Sequence, residues 1–328
     1  MGSTASKHVI HEKFARKVTV LILLIGLTPL IIVTSVAMDQ YRDAYQVMAY
    51  SYLEESVQKH ARLTDLFLEE RLRDISYFSQ ASSCEQLKDN GYLQTHLEII
   101  QKESGNVFTD MGVVETHETG RQLAYAGPFG LEAARYGSAG WFEQASRKDY
   151  FISDVFMGLR GFPHFIVAVR KACQEGQWLV RGTIDFTAFG SIVENLHGGE
   201  TGRAFIINQA GVLQTGRPWS GDETVPGETV YEDFNLLKGW LKNGQNGLCH
   251  AFCPDGKTLV VISRIKNGDW FLVYQQEKGD IFKALMRTHK VAFGALLIGS
   301  IGIVVMALYL PTVMLLRIRR EDEEQNRS

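Results

Sequence analysis

The chain has 328 residues, of which 45% are hydrophobic and 22% are charged. Its formal net charge of −3 excludes the large basic field by which proteins attract nucleic acid. No charged residue interrupts Val18–Met38 or Val291–Leu316, which are 21 and 26 residues long. As a helix, each run is long enough to cross a hydrocarbon core of about 30 Å. The sequence therefore predicts two transmembrane helices, 18–38 and 291–316, around a water-soluble region.

Basic residues flank both apolar runs on their terminal sides. They are Lys7, Lys13, Arg16 and Lys17 before the first run, and Arg317, Arg319 and Arg320 after the second. Because Lys and Arg concentrate on the cytoplasmic side of membrane helices, we expect residues 1–17 and 317–328 in the cytoplasm and 39–290 outside it. A cleaved signal peptide is the alternative for the first run, since Ser35–Ala37 resembles a cleavage site.

All four cysteines lie in the region expected outside the cytoplasm, where disulfides form. They are Cys84, Cys173, Cys249 and Cys253. Three pairings are possible and the sequence favours none, so a disulfide and unpaired buried thiols both remain open. The spacing of Cys249 and Cys253 is not C-x-x-C, and we expect no metal and no cofactor.

The external region begins with a long helical segment. Residues 39–90 contain neither glycine nor proline, and their apolar residues recur at spacings of three, four and seven. We predict a helix that continues directly from the first span, with a stalk over 39–79. Two shorter helices with a break near His60 are the alternative.

Beyond residue 106 the pattern changes to short strands joined by glycine-containing turns. The predicted elements are strands at 107–115, 121–126, 165–171 and 177–185, and helices at 141–150 and 186–196. The second half of the region repeats this order of hairpins. Gly176–Trp178 is matched 92 positions later by Gly268–Trp270, and Gly120 is matched 91 positions later by Gly211. Two hairpins displaced by nearly the same distance indicate two related modules, although chance similarity of hairpins is an alternative. The predicted modules cover 80–199 and 200–288.

Six segments between the two spans carry a family resemblance through their order. They are Gly120–Gly127, Trp141–Ala145, Tyr150–Phe156, Pro163–Phe165, Gly176–Asp185 and Thr201–Phe205. Together with the flanking helices they resemble the double Cache sensor region of bacterial histidine kinases and chemoreceptors, in the bacterial inner membrane. The resemblance implies an α+β fold with two tandem PAS-like (Cache) modules on a long N-terminal stalk helix. It also implies a sheet of five or six strands in each module, a homodimer formed through the stalk helix, and a ligand in the membrane-distal module.

In such sensors the ligand pocket lies over one face of the distal sheet, closed by a Trp-containing helix. Aromatic side chains can form the walls of such a pocket. Arg, Lys and His can bind a ligand carboxylate, and Asp can accept hydrogen bonds from a ligand amine or hydroxyl. The alternative for each of these residues is a role outside ligand binding: packing in the core, capping of a helix, or exposure to solvent. The candidate ligand-binding residues are Tyr125, Trp141, Phe142, Arg147, Tyr150, Asp154, Arg160, His164, Phe165 and Asp185.

The amino-acid-binding version of this family has an Arg two positions before the Trp and an Asp three positions after it. Here Ala139 and Gln144 stand at those positions around Trp141. We therefore expect a small polar metabolite, an organic acid or an amine-like compound, and not a standard amino acid.

The chain contains none of the common catalytic motifs, and we do not expect an enzyme. The expected function is that of a signal-transduction sensor in a two-component system. Ligand binding would shift a conformational equilibrium that is relayed to a cytoplasmic histidine kinase. The alternatives are the sensory part of a methyl-accepting chemoreceptor and a structural adaptor that binds a protein. We expect no nucleic-acid partner.

Overall fold

The computed structural model describes residues 2–117, 119–185, 190, 192–193, 196, 198–216, 225–243, 249–252 and 256–325. The chain divides into two compact units. The terminal unit comprises Met1–Tyr50 and Phe282–Ser328, and the central unit comprises Ser51–Ile281.

Helix α1 spans Gly2–Ala81 and contributes residues to both units. The prediction of a long helix is confirmed, and the alternative break near His60 is not observed. In the central unit the buried positions of α1 include Leu53, Val57, Ala61, Leu68 and Ile75. Their spacing of four and seven places them on one helical face, which packs against the rest of the unit.

Two capped helices connect α1 to the first sheet. Helix α2 spans Cys84–Leu87 and begins with a capping box between Ser83 and Gln86. Helix α3 spans Asn90–Ser104; it is capped by Asp89 and ends at Gly105, which has the left-handed conformation that glycine adopts readily.

The first sheet has five antiparallel strands in the order β2-β1-β5-β4-β3. The strands are β1 (Phe108–Glu115), β2 (Gln122–Ala126), β3 (Tyr150–Ile152), β4 (His164–Cys173) and β5 (Gly176–Asp185), with helix α4 (Gly140–Ser146) and a 3₁₀ turn (Gly158–Arg160) between them. The four predicted strands are confirmed. The helix predicted over 141–150 already ends at Ser146, because Tyr150 pairs with Val169 at the start of β3. The helix predicted over 186–196 falls mostly outside the described residues.

The two faces of the first sheet pack against different helices. Successive side chains of β5 alternate between the faces. Gly182 lies against Ile75 of α1, since a Cβ built on it would be 2.7 Å from the Ile75 Cδ1 atom. Leu179, on the opposite face, belongs to an apolar cluster with Trp141 and Phe142 of α4. Arg181 therefore lies on the α4 side of the sheet.

The second sheet has four described strands in the order β6-β9-β8-β7. The strands are β6 (Arg203–Asn208), β7 (Cys249–Phe252), β8 (Thr258–Ile265) and β9 (Trp270–Glu277), with helix α5 (Phe234–Asn243) before β7 and a 3₁₀ turn (Lys266–Gly268) between β8 and β9. The expected fifth strand is not found among the described residues. Val212 and Leu213, after β6, form only isolated bridges, with Val230 and Ile207 respectively.

One disulfide joins Cys84, at the start of α2, to Cys173, at the end of β4, with a Cα–Cα distance of 6.0 Å. The other two cysteines fall outside what the structure describes, since it covers neither the side chain of Cys249 nor any part of Cys253. Among the described residues, no group of three or more His, Cys, Asp or Glu is arranged to hold a metal ion.

The terminal unit contains two helical segments that are long and apolar enough to cross a membrane. They are Lys13–Ala81 of α1, which extends into the central unit, and Lys290–Ile318, with mean hydropathies of 2.6 and 2.5 in their most apolar windows. The second belongs to helix α7 (Lys283–Gln325), which follows the short helix α6 (Lys278–Ile281). Gly26 of α1 lies directly against Ile303 of α7, where a Cβ would approach the Ile303 Cγ2 atom to 2.8 Å. Such small residues allow apolar helices to pack closely.

Candidate functional site

A cavity of about 680 Å³ lies on the α4 face of the first sheet, and its size suits a small molecule. Its walls come from α4, β3, the 3₁₀ turn before β4 and two turns of the second sheet. The apolar lining residues include Leu131, Tyr136, Trp141, Phe151, Phe156, Leu159 and Ile166. The charged lining residues are Arg135, Lys148, Asp154, Arg160, Arg181, Lys266 and Asp269.

Cationic groups outnumber anionic groups in this lining. Five of the described lining residues are Arg or Lys and two are Asp. A partly open site with this excess attracts an anion, because the surrounding protein screens charge less than water does.

A buried ion cluster forms the positive end of the cavity. The carboxylate of Asp110 has no exposed surface and contacts two guanidinium groups. The Nη1 atom of Arg181 donates to Asp110 Oδ1 over 2.8 Å, and Arg160 forms an ion pair with Asp110 Oδ2. Thr183 Oγ1 accepts hydrogen bonds from both arginines. One carboxylate thus faces two cations, which leaves one positive charge in excess.

A glycine in β1 makes room for this cluster. A Cβ on Gly112 would lie 3.2 Å from the Arg181 Cζ atom and would collide with the amide of Gln122. Arg181 Nη2 donates to Gln122 Oε1 over 3.2 Å and to the hydroxyl of Tyr136 over 2.9 Å. Burial works to lower the pKa of Arg181, but the charge of Asp110, its hydrogen bond and the nearby Tyr136 and Tyr125 together outweigh burial and raise the pKa. The guanidinium is therefore charged.

His164 lies beside this cluster at the start of β4 and is 5% exposed. Its Nδ1 atom lies 2.8 Å from the carbonyl oxygen of Phe162, and its ring lies 4.4 Å from the ring of Phe156. Burial and then the charge of Arg160 lower the pKa of His164 to about 4, so the imidazole is neutral at pH 7. Gly158, with φ of 54°, closes against the ring, and a Cβ there would meet the His164 Cε1 atom at 2.7 Å.

Asp154 joins the cavity to the second sheet. Its Oδ1 atom accepts hydrogen bonds from the Trp270 indole (2.7 Å) and the Lys266 ammonium (3.2 Å), and its Oδ2 atom accepts one from the Asn208 amide (2.8 Å). Burial works to raise the pKa of Asp154, but the charge of Lys266 and these hydrogen bonds hold it below its ordinary value. The three groups that donate to this carboxylate therefore come from the second sheet and from its β8–β9 turn.

Lys266 contacts three parts of the central unit. Its ammonium binds Asp154, donates to the carbonyl of Ser153 over 3.2 Å, and lies 4.2 Å above the Trp270 ring. Its backbone N–H donates to Asp65 of α1 over 2.7 Å. The residue has φ of 52°, an uncommon conformation for a residue other than glycine, in a turn that the surrounding contacts hold.

Four of the ten residues proposed from the sequence line the cavity: Trp141, Asp154, Arg160 and His164. The other six do not. Phe142 and Phe165 are buried in the core, at 5% and 0% exposure. Phe165 is excluded by strand alternation, because its neighbours His164 and Ile166 are the β4 residues that face the cavity.

The remaining four candidates lie at other positions in the unit. The Tyr125 hydroxyl accepts a hydrogen bond from the Phe129 N–H over 3.1 Å, and burial with nearby Asp110 raises its pKa to about 12. Arg147 is exposed and pairs with Glu143 one helical turn away, at 2.7 Å. Tyr150 is 54% exposed at the start of β3. Asp185 is half-buried and pairs with His164 across the strands, outside the cavity lining.

Several lining residues were missed by the sequence analysis. Arg181 had a detectable signal, since it is a charged residue inside the otherwise apolar run of β5, and Asp110 in β1 is its counterpart. Lys266 and Asn208 had no such signal in the sequence, because they belong to the second sheet and its turns and lie more than 50 residues from Asp154 along the chain.

Comparisons with known proteins give structural matches but no sequence match. No family model matches the chain, and no curated protein matches it significantly. The ligand-binding domain of the Pseudomonas aeruginosa PAO1 amino acid chemoreceptor PctB, in complex with L-Gln, superimposes with a TM-score of 0.52 at 18% identity. The match covers 74% of this chain and 98% of that domain.

Two further matches are of the same kind. The extracellular domain of the putative histidine kinase soHK1S-Z6 superimposes with a TM-score of 0.55 at 12% identity, over 74% of this chain and 99% of that one. An extracellular ligand binding receptor from Desulfohalobium retbaense DSM5692 superimposes with a TM-score of 0.52 at 12% identity, over 67% of this chain. The chain spans about two fifths (39%) of the length of that receptor.

At these identities the likeness concerns the fold and not the ligand. The predicted resemblance to a Cache sensor region is confirmed at that level. This chain has the fold shared by chemoreceptor ligand-binding domains and histidine kinase extracellular domains.

Proposed function

We propose that this chain is a two-pass membrane sensor that binds a small organic carboxylate in the cavity of the first sheet. Binding shifts a conformational equilibrium, and the change is relayed through the second sheet and α1 to a cytoplasmic output, a histidine kinase. The chain itself has no catalytic role. The observation that carries the proposal is the cavity lined by Arg160 and Arg181 together with aromatic side chains.

The charge of the cavity favours a carboxylate over an amine-like ligand. Arg160 and Arg181 share the single carboxylate of Asp110, so an anionic ligand would supply the missing negative charge. Of the two carboxylates in the lining, Asp154 already accepts hydrogen bonds from Trp270, Lys266 and Asn208, and Asp269 accepts one from Gln209 over 3.4 Å. An amine would have to compete with these donors and would face two guanidinium groups.

The membrane part of the proposal is supported by the two apolar helical segments, by the basic residues outside them, and by the Cys84–Cys173 disulfide. Disulfides persist in oxidising compartments, which suits an external position for residues 39–290. Reagents that label only external groups should modify a cysteine placed at exposed Tyr150 in intact cells. Labelling of that position only after the membrane is permeabilised would contradict the topology.

The proposed homodimer uses the exposed side of α1. Tyr52, Leu63, Leu66 and Tyr77 are between 44% and 78% exposed and recur at heptad-like spacings of eleven and three. This apolar seam fits the packing of two parallel α-helices. Cross-linking of a cysteine at position 66 to its copy in a second chain tests the contact, and a chain that remains monomeric in membranes would contradict it.

The proposed relay starts at the segment that follows β3. Ser153 and Asp154 line the cavity, while the N–H of Val155 donates to Gln214 of the second module over 2.8 Å. A ligand that moves this segment must also change the contacts of Lys266, whose backbone N–H binds Asp65 of α1. The shift can be no larger than the difference in ligand affinity between the two conformations.

The binding step is tested by calorimetric titration of the full chain in lipid nanodiscs with acetate, pyruvate, L-lactate, succinate, L-alanine and putrescine. We expect binding by at least one carboxylate and none by putrescine. Arg160→Gln should weaken that binding at least tenfold, because it removes a charge-assisted contact worth about 1.5–3 kcal/mol. Arg147→Gln, at an exposed arginine outside the cavity, is the control and should leave binding unchanged. Binding of putrescine alone, or of no compound, would overturn the proposal.

The relay step is tested by hydrogen exchange on the same preparation with the tightest-binding acid of that panel. In the wild type, the acid should change exchange at residues 153–156 and also around Asp65. In Lys266→Met the first change should remain and the second should disappear, whereas Lys102→Met, on the exposed side of α3, should behave as the wild type. Equal changes around Asp65 in both variants would refute a relay through Lys266.

A chemoreceptor output is the second candidate, because PctB is itself an amino acid chemoreceptor and superimposes on this chain. The two outputs share the same sensing step. They are distinguished by whether the cytoplasmic partner is phosphorylated on histidine or is methylated.

A further inference from the structure

One nitrogen of His164 points to the chemical class of the ligand. We propose that the cavity selects a carboxylate with a hydroxyl group on the adjacent carbon, a 2-hydroxy acid, and that the Nε2 atom of His164 accepts the hydroxyl hydrogen. The inference rests on the proposed function and deepens it, since it concerns the same cavity.

The tautomer of His164 follows from its surroundings. Its Nδ1 atom lies 2.8 Å from the carbonyl oxygen of Phe162, and a carbonyl oxygen can only accept a hydrogen bond. Nδ1 must therefore carry the hydrogen. In a neutral imidazole the other nitrogen is then an acceptor, so Nε2 presents a lone pair.

This lone pair is not used by the protein in the part of the chain that the structure describes. The hydrogen bond of the His164 side chain goes through Nδ1 to Phe162, the ring lies tilted against the Phe156 ring, and His164 itself lines the cavity. His164 lines the partly open cavity, so a donor on a ligand can reach this acceptor. A ligand that brings a donor satisfies it.

Arg160 can hold the carboxylate of the same ligand. Its guanidinium has five N–H groups. In the described part of the chain, the Arg160 guanidinium contacts Asp110, Thr109 and Thr183 through its Nη1 and Nη2 atoms. These leave N–H groups for a ligand. Arg160 and His164 are four positions apart, on either side of the turn that starts at Gly161, and both line the cavity.

The ligand group that donates to Nε2 of His164 should carry no positive charge. An ammonium group beside His164 would meet the charges of Arg160 and Arg181, both of which also act on the imidazole. A keto oxygen has no hydrogen to donate and would face the lone pair of Nε2. A hydroxyl donates without adding a charge, which distinguishes a 2-hydroxy acid from the matching 2-amino and 2-keto acids.

The test compares acids that differ only at the second carbon. The full chain in nanodiscs is titrated with L-lactate, pyruvate and L-alanine, and with L-phenyllactate, phenylpyruvate and L-phenylalanine. In the series that binds, we expect the hydroxy acid to bind about tenfold or more tightly than the keto acid, as the loss of a buried hydrogen bond implies. The amino acid should bind more weakly than the hydroxy acid.

Two substitutions assign the preference to His164. His164→Gln keeps an acceptor near the position of Nε2 and should retain most of the preference, whereas His164→Phe should weaken hydroxy-acid binding about tenfold and leave keto-acid binding nearly unchanged. His96→Phe is the control, because the Nδ1 atom of His96 also lies close to a backbone carbonyl (that of Tyr92, at 3.0 Å), away from the cavity.

The outcomes separate this inference from the proposed function. Equal binding of hydroxy and keto acids, or tightest binding of the amino acid, overturns the inference and leaves a carboxylate sensor. An equal loss of both acids in a folded His164→Phe variant also overturns it. If neither series and no other carboxylate binds, the proposed function fails together with the inference.

Discussion

Replacement of Asp110 by asparagine is expected to destabilise the chain by about 3–5 kcal/mol, because it leaves two buried guanidinium groups without their counterion. The side chains of Arg160 and Arg181 are 5% and 1% exposed, so water compensates only weakly for loss of the carboxylate. The measurement is the free energy of unfolding of the full chain in detergent, from denaturant titration at pH 7. Carboxylate binding should also weaken in this variant, since both arginines lose their anchor.

The matched control is Asp149→Asn. Asp149 also pairs with an arginine, Arg170, but its side chain is 87% exposed. A surface pair of this kind contributes about 1 kcal/mol or less. Similar losses of stability in Asp110→Asn and Asp149→Asn would show that the buried cluster does not hold the first sheet together.

Removal of the disulfide is expected to cost about 2–4 kcal/mol. Cys84 and Cys173 are 89 positions apart, and closing so long a loop restricts the unfolded chain strongly. The double variant Cys84→Ser, Cys173→Ser should unfold at a lower denaturant concentration than the oxidised wild type. A hydrogen bond also connects these two parts of the chain, since Lys171 donates to the carbonyl oxygen of Ser82 over 2.7 Å. The variant should therefore still fold.

Reduction provides the internal check on that prediction. A membrane-permeant reductant should lower the stability of the wild type and leave the double serine variant unchanged. If reductant destabilises both proteins equally, the effect arises elsewhere and the Cys84–Cys173 bond contributes little.

Local patterns predicted the elements of this fold well. The helix over 39–79 follows from the absence of glycine and proline, and the hairpins follow from apolar runs around Gly120 and Gly176, which both have positive φ. The end of α4 was less predictable. The aromatic residues at 150 and 151 continue the apolar character of the helix, but they pair with β4 instead.

The candidate site was predicted only in part, for a physical reason. Trp141, Arg160 and His164 belong to segments whose order carries the family resemblance or lie beside them, and all three line the cavity. The role of Asp154 depends on Lys266, which is 112 positions away along the chain. A contact of that kind arises from the packing of two sheets and leaves no local pattern in the sequence.

The attachment of the segment after β3 to the second sheet has a consequence for how such a sensor can be adjusted. Lys266 and Trp270 both donate hydrogen bonds to Asp154, and in the proposed sensor the ligand affinity and the strength of these contacts are thermodynamically linked. In the proposed sensor, substitutions at Trp270, which contacts Asp154 without lining the cavity, can therefore raise or lower the ligand concentration that gives a response while the cavity lining stays the same. The sensitivity of the proposed sensor could thereby change during evolution without a change in its selectivity.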